Sequence, residues 1–206
     1  PSGGSDPARA IQARAIRDGD DYILNGTKTW ITAAGISDWG IVFARTGKPG
    51  DRGGISAFIV DSDNPGVSFR EIDVIRSYSP WEVFFTDCRI PSSKRIGEEG
   101  EGFKILSRFL GINRIPYTAN CIGTAQYALE LAIDWAKSRT VFGSTLAEKQ
   151  AIQWMIADSE MELQAARMLV YQAAWALDMG KPFQVESSIA KVTGTETAGR
   201  VVDRCI

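Results

Sequence analysis

The sequence predicts an α+β chain: a domain of short antiparallel strands, built as a barrel or sandwich, followed by an antiparallel helix bundle with three of four helices present. Three observations carry this. Up to about residue 90, short alternating runs are separated by Gly, Pro and Asn-Gly turn signals. From Phe103 onward the apolar period lengthens to that of a helix. Between the two, Pro91 and the glycine-rich run 97–102 punctuate the chain. Residues 1–97 are therefore expected to form the β-domain and residues 98–206 the helical one.

The elements follow in order. Residues 11–17 alternate apolar and polar, and Asp18-Gly19 supplies a turn. Asn25-Gly26 tolerates the positive φ angles of a tight turn, so residues 22–24 and 27–32 are expected to pair as a hairpin. Side chains alternate across a strand, which would put Trp30 and Thr32 on one face and Ile31 on the other. Residues 39–46, 55–60, 67–75 and 81–86 read as further strands, with loops at 47–54 and 76–80. Phe103, Leu106, Phe109 and Leu110 open a helical stripe that Ile122, Ala125, Leu129 and Ile133 continue to about Arg139, with Pro116 expected to kink or break it. Thr145-x-x-Glu148 is a capping-box pattern ahead of a second helix. Gly180 and Pro182 end that helix, and a third begins near Phe183. With three helices of four, one apolar face is expected to be uncovered.

Composition narrows the function. Of 206 residues, 44% are hydrophobic and 23% charged, with a formal net charge of −2, an ordinary globular balance. No basic block suggests nucleic acid, and no apolar run reaches the roughly 20 residues of a membrane span. Cys88, Cys121 and Cys205 are far apart and lack metal-binding spacing, so a reducing compartment is expected and each reads as a small buried hydrophobe. Histidine is absent, which excludes a Ser-His-Asp triad and histidine metal ligation within these residues, but not chemistry carried by a cofactor. The opening loop and the uncapped helical pattern at Ile206 are expected to lie inside a longer chain.

Several motifs follow one another in order: Gly4-Ser5-Asp6; Asn25-Gly26-x-Lys28-x-Trp30-Ile31-Thr32; Pro65-Gly66; Phe84-Phe85-x-Asp87-x-x-Ile90-Pro91; Gly97-Glu98-Glu99-Gly100-x-Gly102-Phe103; and Arg139-x-x-Phe142-Gly143. Each alone is weak, but the series resembles the acyl-CoA dehydrogenase family of flavoproteins over essentially the whole chain. The resemblance implies FAD as cofactor, an acyl-CoA substrate, an electron-transferring flavoprotein as acceptor and a homo-oligomer, tetramer or dimer. It also implies a bacterial cytoplasmic or mitochondrial matrix setting.

The resemblance places Trp30, Ile31 and Thr32 beside the isoalloxazine. It places Arg139, Thr140, Phe142 and Gln150 at the FAD of a neighbouring subunit, where a planar guanidinium suits phosphate oxygens. It places Ser5 and Arg114 on the acyl-CoA. From the residues alone, Trp30 is a core Trp of a hairpin, Arg139 a solvated helix-end cation, Ser5 a loop serine and Arg114 a surface arginine. Gly111 departs from an aspartate that some members carry. Family chemistry removes the substrate α-proton with a glutamate. One of its known locations corresponds here to Asn113, whose amide cannot act as a base, and residues 103–129 hold no Asp or Glu. The base is expected beyond Ile206. Two alternatives stand beside this reading: a flavin oxidase or monooxygenase on the same fold, and a non-catalytic assembly or binding homologue.

Overall fold

The computed structural model describes residues 6–48, 51–75 and 78–206. Two compact units divide the chain, Pro1–Ser107 and Arg108–Ile206.

The first unit begins with a one-turn helix α1 (Pro7–Ala10), capped by the Asp6 carboxylate, which accepts from the Arg9 amide at 3.2 Å. Seven strands follow: β1 (Arg14–Asp18), β2 (Asp21–Thr32), β3 (Trp39–Arg45), β4 (Ile55–Asp61), β5 (Val67–Glu71), β6 (Pro80–Pro91) and β7 (Arg95–Ile96). They form one sheet in the order β5-β6-β2-β1-β3-β4-β7. Its pairs are antiparallel except β1 with β3, which meet in parallel at Arg14 and Arg45. This departs from the expected all-antiparallel arrangement. Once β2 has turned back on β1 and taken β6 on its other side, β3 joins the remaining edge of β1.

The expected hairpin turn at Asn25-Gly26 is corrected. The turn lies at Gly19-Asp20, where Asp18 pairs with Asp21 and Gly19 takes φ +63°. Asn25-Gly26 instead sits inside β2 at a bulge, where the register against β6 shifts between Leu24 and Gly26. The cause is a partner distant in sequence. Asn25 Oδ1 accepts from the Asp87 amide at 2.8 Å and its Nδ2 donates to Asp87 Oδ1 at 3.0 Å. Gly26 is required there, because a Cβ would stand 2.7 Å from the Ala13 Cα.

Tyr22, Leu24, Phe58, Cys88 and Ile90 are fully buried at the centre of this unit. The Tyr22 and Phe58 rings meet at 4.9 Å, and the Tyr22 hydroxyl donates to Glu99 at 2.8 Å. Burial pushes the Cys88 thiol up to about 11, so it behaves as an inert hydrophobe.

The second unit takes up most of α2 (Gly102–Ser138), the hairpin β8 (Thr140–Val141) and β9 (Ser144–Thr145), α3 (Gln150–Asp178) and α4 (Gln184–Cys205). Helix α2 runs through Pro116 without a break. Ile122, Ala125 and Leu129 of α2 pack with Leu163, Ala166, Val170 and Ala173 of α3 and with Ala190 and Val201 of α4. Phe109 and Leu110, read from periodicity as core, are exposed. The Thr145-Glu148 box forms, with Glu148 Oε1 accepting from the Thr145 amide at 3.0 Å and from its hydroxyl at 2.9 Å. It caps a 3₁₀ turn, Leu146–Glu148, and α3 starts just after. Leu131, Trp135 and Met155 remain exposed beside a groove lined by α2, α3 and α4.

Candidate functional site

In the β-sheet unit, the end of β2 is distorted in a way the sequence did not show. The register against β6 shifts again between Lys28 and Ile31, and Trp30 lies inside the shift with φ +64°. A left-handed tryptophan is a rare backbone state, costly enough to need local support. Support comes from both sides. Ile31 and Thr32 resume pairing with Trp81 and Pro80. Ala33 is left-handed too, at φ +62°, and leads into a 3₁₀ turn, Ala34–Ile36. Gly35 in that turn lies so close to the Trp81 ring that a Cβ would stand 2.6 Å from it.

The bulge breaks the alternation expected of Trp30-Ile31-Thr32. Ile31 and Thr32 both line a cavity of about 440 Å³, whereas Trp30 is not in its wall. Trp30 is 64% exposed instead, an indole held outward by its own backbone. The Thr32 side chain is exposed, and no described residue bonds its hydroxyl. Earlier on the same strand, Thr29 Oγ1 is buried without a hydrogen-bond partner among the described residues. A presented aromatic face, an uncommitted hydroxyl and an orphaned buried oxygen are the donor and stacking groups that a flat, polar ring system would use.

Two residues of this region were missed by sequence reasoning. Lys28 lines the same cavity, and its Nζ donates to the Phe43 carbonyl at 2.7 Å. Arg45, 3% exposed, gives all five guanidinium N–H groups to backbone carbonyls, those of Ala8, Arg9, Ile11, Lys48 and Asp51. The alternation of residues 39–46 marked a strand but gave no sign of a buried cation at its end. Ser5 lies outside the described residues.

In the helical unit, Arg139, Thr140 and Phe142 share the connection between α2 and α3. Thr140 pairs with Thr145 and Val141 with Ser144, leaving Phe142 and Gly143 as a two-residue turn with φ +51° and +79°. Both values are positive, as a type I′ hairpin turn demands. Phe142 is fully exposed at the tip. Arg139 is exposed, its backbone bonded to Trp135 and Leu146 and its guanidinium without an ion pair among the described residues. Gln150, the first residue of α3, is also exposed. Arg114 is half-buried and donates to Ser188 Oγ at 3.4 Å, while Asn113 beside it is exposed. Gly111 is buried against Phe183. Among the described residues there is no metal-binding cluster and no helix long and apolar enough to cross a membrane.

Comparison with known proteins assigns this architecture to a class. Residues 1–88 match the model of the acyl-CoA dehydrogenase middle domain, and residues 100–206 match that of the acyl-CoA dehydrogenase C-terminal domain. The chain belongs to the acyl-CoA dehydrogenase family. It is 39% identical over 209 residues to the mitochondrial short-chain specific acyl-CoA dehydrogenase of Homo sapiens, with 100% of this chain and 50% of that protein covered. A solved structure of butyryl-CoA dehydrogenase from Megasphaera elsdenii superposes with a TM-score of 0.95 at 37% identity, covering 100% of this chain and 55% of that one. A structure described as the FAD complex of PigA matches with a TM-score of 0.88 at 32% identity, over 95% of this chain and 52% of that one. The chain thus spans about half the length of the curated relatives it matches.

Proposed function

We propose that this chain is part of an FAD-dependent acyl-CoA dehydrogenase that removes hydrogens from the α and β carbons of an acyl-CoA thioester and passes the electrons to an electron-transferring flavoprotein. The observation that carries the reading is the bulged end of β2. Its family-matched Trp30-Ile31-Thr32 run is exposed, presenting an aromatic face and a hydroxyl that no described residue bonds, and Thr29 on the same strand carries a buried oxygen without a partner among the described residues. These groups fit an isoalloxazine, so Trp30 would pack against it, and Thr32 would hydrogen-bond its polar edge. FAD, when bound, supplies the acceptor for the β-hydride.

The remaining roles belong to this chain's residues. Arg139, Thr140, Phe142 and Gln150 would reach the diphosphate end of FAD in a neighbouring subunit, which makes the active assembly a homo-oligomer, tetramer or dimer. The Arg139 guanidinium, without an ion pair among the described residues, is suited to paired phosphate oxygens. Arg114 and Ser5 would hold the acyl-CoA. The α-proton goes to a carboxylate outside residues 103–129, because Asn113 has no basic oxygen to take it.

The test uses the full-length protein. Butyryl-CoA added under argon should bleach the flavin absorbance, with electrons recoverable by an electron-transferring flavoprotein. Trp30→Ala and Thr32→Ala should each slow the bleaching by at least about tenfold, the scale of removing one stabilising contact at the reacting centre. A full-length protein that holds FAD but is not bleached by any acyl-CoA would overturn the reading.

A further inference from the structure

One amine in the β-sheet unit lacks an acidic partner and faces apolar surroundings. Lys28 is half-buried on β2, its Nζ bonded to the Phe43 carbonyl on β3, and no carboxylate pairs with it among the described residues. It lines the 440 Å³ cavity with Ile31 and Thr32 of its own strand and Val83 and Phe85 of β6. The other ionisable side chain in that wall, Asp61, is held by Lys94. An ammonium in such a place is disfavoured, and burial brings Lys28 from the ordinary 10.5 down to about 8. With one N–H held by the Phe43 carbonyl, the lone pair of the neutral amine is directed away from that oxygen.

We propose that Lys28 is an acylation site, taking the acyl group of a thioester that enters this cavity. For its natural donor the proposal rests on the acyl-CoA reading above. The neutral amine nitrogen attacks the thioester carbonyl carbon. A C–N bond forms, the C–S bond breaks, and the thiolate leaves and takes up the proton shed by the nitrogen. No oxidant or reductant is needed. The product is an uncharged amide whose acyl chain lies in the apolar cavity, against the wall that Ile31 and Thr32 share. Acylation would therefore switch off the site that uses the same donor.

At pH 7.5 about a quarter of an amine with pKa near 8 is neutral, against about one in a thousand for an ordinary lysine. Part of that gain is lost because a less basic nucleophile is less reactive, as it is for thiols. A net rate advantage of about tenfold remains.

The test treats the full-length holoprotein with acetyl-CoA, which has no β-carbon and so is not consumed by dehydrogenation. A parallel sample receives the acetyl thioester of N-acetylcysteamine, which lacks the nucleotide. Peptide mapping by mass spectrometry should find Lys28 acetylated about tenfold faster than Lys48 and Lys191, two exposed lysines without ion pairs among the described residues. Preferential marking by both donors supports the proposal. Marking by the small thioester alone supports the reactive site and counts against acyl-CoA as its source. Rates at Lys28 no higher than at Lys48 and Lys191 with both donors would overturn it, whatever the flavin-bleaching result. So would a mark on the same peptide that persists in Lys28→Arg.

Discussion

Arg45 Nε donates to the carbonyl oxygen of Ile11 at 3.0 Å, tying the end of β3 to a segment that precedes β1. Four more bonds from the same guanidinium hold Ala8, Arg9, Lys48 and Asp51. Among the described residues no carboxylate pairs with this buried charge, and the carbonyl dipoles compensate it. Arg45→Met should destabilise the β-sheet unit by at least about 3 kcal/mol, because it strands several carbonyl acceptors. Arg45→Lys, with three donors for five acceptors, should recover part of the loss. Urea unfolding of the two variants against wild type measures both.

Lys28 sets a pH dependence. Its folded-state pKa, about 8, lies below the ordinary 10.5 expected when unfolded. Well below pH 8 both states hold the proton, and the cost of the half-buried ammonium is fully present. Between pH 8 and 10.5 the unfolded state binds more protons than the folded one, so stability rises with pH. Lys28→Met removes this term. The unfolding free energy of wild type relative to Lys28→Met should therefore increase by about 1–3 kcal/mol from pH 7.5 to 10.5. A flat difference across that window would contradict the burial of the amine.

Much of the helical unit was legible because periodicity is a local property. Ile122, Ala125 and Leu129 are core as their spacing implied. The β-sheet unit was less so, because its decisive features are set by partners far along the chain. Asn25-Gly26 has the composition of a turn, and Asp87 makes it a bulge. Trp30-Ile31-Thr32 was legible as a motif, but its geometry depends on where β6 resumes pairing at Trp81 and Pro80. Arg45 was invisible for the same reason, since three of its acceptors, Ala8, Arg9 and Ile11, lie 34 to 37 residues before it.

Gly194 gives a test of helix packing. A Cβ there would stand 2.3 Å from Thr118 Cγ2, so α4 meets α2 at a point with no room for a methyl group. Gly194→Ala should cost about 1–3 kcal/mol despite alanine's better helix propensity. Thr118→Ser deletes the offending methyl and keeps the hydroxyl that bonds the Arg114 carbonyl. The double variant should recover most of the loss, which a double-mutant cycle by thermal unfolding would show.

Phe142 occupies a left-handed tip position with its ring in solvent. Asparagine accepts that backbone state more readily. Phe142→Asn should leave the isolated chain as stable or up to about 1 kcal/mol more stable. In the full-length protein it should weaken FAD retention, measured as flavin lost on dilution. Unchanged retention would remove Phe142 from the proposed cofactor site.

The ladder between β2 and β6 joins Asp21 to Pro91 and Thr32 to Pro80, so the centre of the sheet is sealed by its most distant partner. On the ribosome, β1 and β2 can pair as soon as they emerge, but the open edge of β2 must wait until residues 80–91 are synthesised. Closing so long a loop is entropically expensive and slow beside the local contacts of a helix. During that interval the β2 edge, with Trp30 and Ile31 near its end, is a free template for other strands. Holding that edge apart from other nascent chains is a demand that this topology places on the cell before any cofactor arrives.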